Sequence, residues 1–305
     1  MEENLLAERF EVERTRLRGV AYRMLGSLAE ADDALQEAWL RLSGTEAEAI
    51  ESLPAWLTTV VGRICLNVLR SRGARPEVPL EAALTAARLD PGPEEEALLA
   101  DQVGLALLVV LDRLQPAERL AFVLHDMFDV PFEPIAQILN KSAEATRQLA
   151  SRARRRVEGS PVPEPDRARQ ARAVHAYLRA VRTGDLEALV AVLDPEVLLV
   201  ADGAAVPGGV AVALRGSQKV ARAAAASAAR APFARTAIID GAVGIVVAPR
   251  GRLRIALLFT VQSTQDGERV TRVDVVADPS RLAALGVSVL EGWRGRGGAP
   301  GPVPY

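Results

Sequence analysis

The chain has 305 residues, a length that predicts two or three domains rather than one. Its formal net charge of −2 excludes a bulk polycation, so any nucleic-acid contact must come from local basic faces. One cysteine and two histidines exclude an intrachain disulfide and a zinc cluster, and no apolar run approaches the length of a bilayer span. The opening Met1-Glu-Glu-Asn4 is not a signal sequence, which gives the expectation of a cytoplasmic protein with no cofactor, metal or membrane partner.

The first seventy-odd residues read as helices. Leu17, Val20, Ala21, Met24 and Leu25 follow the spacing of a buried helical face. A second helix opens at Ser27 with Glu30 three residues on, the signature of a capping box. Its apolar side is Ala34, Leu35, Ala38, Trp39 and Leu42, and its outer side offers Asp32, Asp33, Gln36 and Glu37. A third helix starts after Ser52 and tolerates Pro54 in its first turn. Leu57, Val60, Val61, Ile64, Cys65 and Val68 bury it, while Arg63, Asn67, Arg70 and Arg72 face outward. Cys65 lies on the apolar stripe and reads as core packing.

Residues 74–100 carry Pro76, Pro79, Pro91, Pro93 and the acidic run Glu94-Glu-Glu96, a linker composition. Helix resumes over Leu105–Leu114 and restarts at Pro116. Phe132–Asn140 and Ser142–Arg156 then form two helices joined by Asn140-Lys141-Ser142. Asn tolerates the left-handed backbone of a tight exit, and Ser is a good N-cap. That arrangement is a helix-turn-helix. Its second helix presents Glu144, Arg147, Gln148, Ser151, Arg152 and Arg155, a basic face suited to reading base edges in a major groove. A solvated Arg-rich face would share this composition, but here turn, cap and basic face coincide.

After a short linker at Gly159–Pro165 the pattern turns to mixed helix and strand. A helix carries Ala173, Val174, Tyr177, Leu178 and Val181, and another ends near Leu193. Strands are predicted at Val197–Val200, Val210–Leu214, Thr236–Ile239, Leu253–Ser263 and Val270–Ala277, with a helix at Gln218–Ala229. Residues 287–305, rich in Gly and Pro, read as a disordered tail.

Up to Val157 the chain resembles the sigma-70 family, in particular the small two-domain extracytoplasmic-function sigma factors. Arg16-Leu-Arg-Gly-Val-Ala-Tyr-Arg-Met-Leu-Gly26 and Ala31-Asp-Asp-Ala-Leu-Gln-Glu-Ala-Trp-Leu-Arg-Leu42 look like region two. The resemblance implies that Asp32, Asp33, Gln36 and Glu37 dock on the β′ clamp helices of RNA polymerase core. Ala55-Trp-Leu-Thr-Thr-Val60 and Ile64-Cys-Leu-Asn-Val-Leu-Arg70 look like the segment that opens and reads promoter DNA, with Asn67 where the family usually has Asp. Leu111-Asp-Arg-Leu-Gln-Pro-Ala-Glu-Arg119 and the helix-turn-helix look like region four, which binds the upstream element and the β flap.

Residues from about Asp166 resemble the SnoaL-like domains: Gly184-Asp-Leu-Glu-Ala-Leu-Val190, Asp194-Pro-Glu-Val197 and Ala201-Asp-Gly203 are similar to that fold's start. Some sigma factors of this type carry such a domain in place of a separate inhibitor. Where those relatives show Asn-Pro-Asp-Lys-Leu, this chain has Asp278-Pro-Ser-Arg-Leu282. Asp278, Pro279, Arg281 and Leu282 are therefore the expected regulatory contact, made with the linker or with region two.

The expected architecture is an all-α half followed by an α+β, cone-shaped domain. Its parts are region two at 1–73, the linker at 74–100, region four at 101–158, the SnoaL-like domain at 166–286 and the tail. The expected function is promoter-specific transcription initiation without covalent chemistry. The alternative is a helix-turn-helix regulator whose C-terminal pocket binds a small molecule or retains cyclase- or hydrolase-like activity. Asp202, Arg254 and Asp274 would carry such chemistry if they converged in the pocket, because a carboxyl buried there can act as general acid or base.

Overall fold

Helical spacing of apolar residues builds the N-terminal half. The computed structural model describes residues 2–45, 50–72, 105–158, 164–206, 208–264 and 267–290. Helices α1 (Glu2–Leu25), α2 (Leu28–Ser43) and α3 (Leu53–Arg72) bury Leu17, Met24, Leu35, Leu42, Leu57 and Ile64, the stripes their period predicts. Cys65 sits on the α3 stripe, where burial pushes its thiol up to about 12. Ser27 caps α2, its Oγ accepting from the Glu30 N–H at 3.5 Å. Arg72, expected to face outward, instead turns inward at the end of α3: it pairs with the Glu30 carboxylate and donates to the Leu25 carbonyl at 3.0 Å, which ties the α1–α2 corner to the third helix.

Four more helices follow: α4 (Leu105–Asp112), α5 (Pro116–Phe122), α6 (Phe132–Leu139) and α7 (Ala143–Glu158). A π-helical turn, Val123–Met127, extends α5. Between α6 and α7 Asn140 takes φ 52° and ψ 50°, and Ser142 Oγ accepts from the Ala145 N–H at 3.1 Å. Both devices expected of the helix-turn-helix are present.

The C-terminal half is α+β. Its elements are α8 (Glu164–Thr183), α9 (Leu186–Val192), β1 (Leu193–Ala201), β2 (Val212–Arg215), α10 (Ser217–Ala226), β3 (Ala234–Ile239), β4 (Ala242–Val247), β5 (Ile255–Thr264), β6 (Gly267–Val276), α11 (Pro279–Ala284) and β7 (Val287–Ser288). The seven strands form one sheet in the order β2-β1-β6-β5-β4-β3-β7, antiparallel except for β1 beside β6. Glu164 and Pro165, expected in the linker, already belong to α8. Strand β4 was not expected. Val287 and Ser288, expected in the tail, pair with β3 and are buried. The segment Asp278–Leu282 is helical rather than a loop, with Asp278 as its N-cap. The linker 74–100 and residues 291–305 lie outside the described residues.

Strand alternation gives the sheet two buried faces. Val243, Ile245, Val247, Ile255, Phe259 and Val273 pack with Val174, Tyr177, Leu189 and Val220 of α8–α10. On the other face Ala237, Ile239, Val246, Ala256, Val276, Leu282 and Val287 join the core of α1–α7. A fully buried Val, Leu or Ile is worth about 1.5–3 kcal/mol, so this second face is a substantial part of the N-terminal half's own core.

The junction is tightest where the turn Pro249–Gly251 after β4 meets the α1–α2 corner. Gly26 has φ 77°, and a Cβ there would lie 2.6 Å from the Arg250 carbonyl oxygen. Only glycine fits that backbone and that approach.

Candidate nucleic-acid interface

Helix α7 keeps its polar face open. Glu144, Arg147, Gln148, Ser151, Arg152 and Arg155 are all exposed, while Thr146, Leu149, Ala150, Ala153 and Val157 are buried beneath them. The C-terminal arginines are less available than the sequence suggests. Glu118 of α5, itself buried, accepts from Arg152 Nε at 2.9 Å and from Arg156 at 2.6 Å. Asp126 in the π-turn, its side chain only 4% exposed, accepts from Arg154 Nε at 2.5 Å. Arg155 alone of this run faces solvent with no hydrogen bond or ion pair among the described residues. Sequence reasoning missed Glu118 and Asp126. The available signal was a carboxylate at a core position beside Leu120 and Phe122, since a buried charge requires a partner.

Arg63, Asn67 and Arg70 project from α3, each about one turn from the next, and all three are exposed. They share a face as expected. The opposite side of α3 meets region four directly: a Cβ on Gly62 would touch Ile138 Cδ1 at 3.4 Å and Leu120 Cδ1 at 3.5 Å.

A groove of about 340 Å³ runs between α1 and α2, lined by Phe10, Arg14, Asp33, Gln36 and Trp39 among others. Asp33 and Gln36 are exposed along it, and Glu37 and Leu40, the latter 63% exposed, continue the open face of α2 beyond it. Asp32 is half-buried and engaged within the module, accepting from Arg18 Nε at 2.7 Å and Nη2 at 2.9 Å. Glu37 pairs with Arg41.

Among the described residues the expected regulatory segment meets region four. Arg113, in the α4–α5 turn of region four, donates to the carbonyls of Leu282 at 3.1 Å, Ala283 at 2.9 Å and Leu285. It thus caps the C-terminus of α11, where carbonyls lack helical partners and a cation is favoured. Leu282 is buried in the same contact. Arg281 does not reach across but pairs with Asp202 at 3.3 Å, and Pro279 is exposed. Hydrogen bonds from Ser280 Oγ and the Arg281 N–H hold the Asp278 carboxyl below the usual range.

Asp202 accepts from the backbone N–H groups of Ala277 and Asp278 at 3.0 Å and of Ala205 at 3.1 Å. Asp274 forms a bidentate pair with Arg272 at 2.6 and 2.7 Å. Each carboxylate is therefore engaged in holding structure. Tyr177 of α8 meets Phe259 of β5 edge-to-face at 5.1 Å in the core beneath the sheet, and a cavity of about 490 Å³ opens between α8, α9 and β6, lined by Ala176, Arg179, Thr183, Asp185, Val192 and Glu268 among others. Among the described residues no group of three His, Cys, Asp or Glu side chains could hold a metal ion.

An exposed acidic face on α2, the exposed row Arg63, Asn67 and Arg70 on α3 and a helix-turn-helix with an open basic face are the features of a DNA-binding transcription factor of two helical modules. The comparisons agree. Residues 10–75 match the Sigma-70 region 2 family model and residues 104–157 match Sigma-70, region 4. The chain is 40% identical over 224 residues to the ECF RNA polymerase sigma factor SigJ of Mycobacterium tuberculosis, covering 70% of each. It is 39% identical over 183 residues to the probable ECF sigma factor SigI of the same species, covering 58% of this chain and 63% of that one. The crystal structure of M. tuberculosis SigJ aligns over 90% of this chain and 98% of that one at 31% identity, with a TM-score of 0.44.

The chain belongs to the ECF RNA polymerase sigma factors of the sigma-70 family. Its function is that of a sigma factor, with RNA polymerase core and promoter DNA as its partners. Among the described residues no helix is long and apolar enough to cross a membrane.

Proposed function

We propose that residues 1–73 dock on the β′ clamp helices through Asp33, Gln36 and Glu37 and open the promoter with Arg63, Asn67 and Arg70. Asp32 serves as an internal brace for this face through its bidentate pair with Arg18. Residues 101–158 bind the upstream element through Arg147, Gln148, Ser151 and Arg155 and meet the β flap. Residues 166–286 regulate both modules in cis. The observation that carries this reading is the open polar face of α7 above a buried face that shares its core with the sheet. The regulatory contact includes the seat of α11 on Arg113. Regulation by contact, without covalent chemistry, is supported by the structural use of Asp202 and Asp274.

The test is capture of the full-length protein by core polymerase, followed by run-off transcription. Retention and promoter-dependent transcripts are expected. A protein that fails to bind core overturns the proposal, as does one that footprints a palindromic site as a symmetric dimer without polymerase.

A further inference from the structure

Arg147 is held from several sides before any DNA arrives. Its guanidinium carbon lies 5.5 Å from the centroid of Phe132, over the ring. Its terminal nitrogens are 3.5 Å from the carboxylates of Glu133 and Glu144. Phe132 opens α6, so it belongs to the first helix of the helix-turn-helix and not to the reading helix. The ring is itself fixed. His125 of the π-turn stacks on it at 3.7 Å between centroids and 30° between planes. His125 is buried, and its Nδ1–H donates to the Val130 carbonyl at 3.0 Å. The Val130 N–H in turn donates to the Leu124 carbonyl at 2.9 Å, closing the π-turn behind the histidine.

A guanidinium over an aromatic face loses little of its hydrogen-bonding capacity, because its N–H donors lie in its own plane. The side chain is still 51% exposed, so the fork remains reachable. A pre-oriented planar fork matches the O6 and N7 acceptors of guanine in the major groove and matches no other base as well. Glu133 and Glu144, 65% and 70% exposed, hold the same nitrogens weakly and repel phosphate oxygens. The arrangement disfavours a swing of Arg147 onto the DNA backbone.

We propose that Phe132, braced by His125, is a positioning residue that presents Arg147 to a guanine of the upstream promoter element. The inference rests on the reading of Arg147 as a base contact. Phe132 itself contributes to discrimination between promoters and little to affinity for DNA as such.

The experiment uses full-length protein with core polymerase and a panel of promoters in which each base pair of the upstream element is changed in turn. The readout is the ratio of binding to the best promoter over binding to the variant at the sensitive position. Phe132→Leu is expected to shrink that ratio about 2- to 5-fold, the worth of a cation–π contact at an exposed site, while binding to unrelated DNA stays level. Phe132→Tyr is expected to keep the ratio within about twofold, since the ring face is retained. Arg147→Ala should shrink it by about 5- to 100-fold, and adding Phe132→Leu to it should change nothing more. Melting curves of each variant identify loss of folding, and Phe132→Tyr keeps the test open if Phe132→Leu fails to fold. An equal loss on every promoter for Phe132→Leu, or a full effect of Phe132→Leu on the Arg147→Ala background, overturns the positioning role alone. An unchanged ratio in Arg147→Ala overturns the base-contact reading and the positioning role together.

Discussion

Arg119 shows how a single charge joins two modules. It is 3% exposed, yet its Nη1 donates to the Met24 carbonyl of α1 at 2.5 Å, its Nε to the Leu111 carbonyl at 2.5 Å, and its Nη2 to Asp112 at 3.2 Å. Burial holds its pKa below the ordinary arginine value, with Asp112 opposing that shift, so the hydrogen bonds must sustain a desolvated cation. Arg119→Met keeps much of the volume but strips a donor from two buried carbonyls and an ion-pair partner from Asp112. The expected cost is about 3 kcal/mol, read as a lower denaturant midpoint for the helical half. A midpoint within error of the parent would show that the carbonyls find other partners. The Leu111–Arg119 stretch was legible as part of region four, but not the task of Arg119. Its acceptor across the modules, the Met24 carbonyl, lies on α1, far away in sequence, and nothing local marks an arginine whose partner is a distant backbone carbonyl.

At the scale of elements, α7 has two populations of arginine, and the sequence lists them as one. Arg152, Arg154 and Arg156 are pinned to buried carboxylates, whereas Arg155 faces solvent. Arg155→Ala should weaken binding to all promoters alike and lower the slope of log affinity against log salt by about 1. Arg156→Ala should instead cost about 1 kcal/mol of stability, discounted for its half-exposed side chain, because Glu118 loses one of two partners. Titrations at several salt concentrations, with melting curves of both variants, separate the two classes. A salt slope unchanged by Arg155→Ala would remove it from the phosphate contacts. The helix-turn-helix was legible because its turn, cap and stripe are all local. Strand β4 was overlooked although Asp240 and Gly241, at φ 48° and 83°, form the two-residue turn that joins β3 to β4. Strand β7 has two residues and no periodicity to read; pairing with β3 alone makes it a strand.

For the whole molecule the governing fact is a shared core. Gly62 lets α3 lie flush on Leu120 and Ile138, and the sheet's outer face packs into the same cluster. Two promoter elements separated by even two helical turns of DNA lie about 70 Å apart, so modules that share a core must part to reach both. In the proposed regulation in cis the sheet domain would oppose that parting through the packing of β7, α11 and the Pro249–Gly251 turn. A chain ending at Leu285 loses β7 and the Val289 N–H bond to the Val157 carbonyl at 3.3 Å, but keeps α11 seated on Arg113. A chain ending at Ala277 loses α11 and the Arg113 contact as well. Transcription from one promoter is expected to rise in that order, with the radius of gyration in solution scattering rising in parallel. A chain ending at Pro165 should behave differently. It uncovers Leu107, Leu108 and Val157, which share the core cluster with the sheet face, so its melting temperature and yield should fall even though both sigma modules remain. Equal transcription from all three truncations and the full-length protein would refute regulation in cis. A steady fall from Leu285 to Ala277 would show that the sheet domain is a platform the sigma modules need rather than a restraint they must escape.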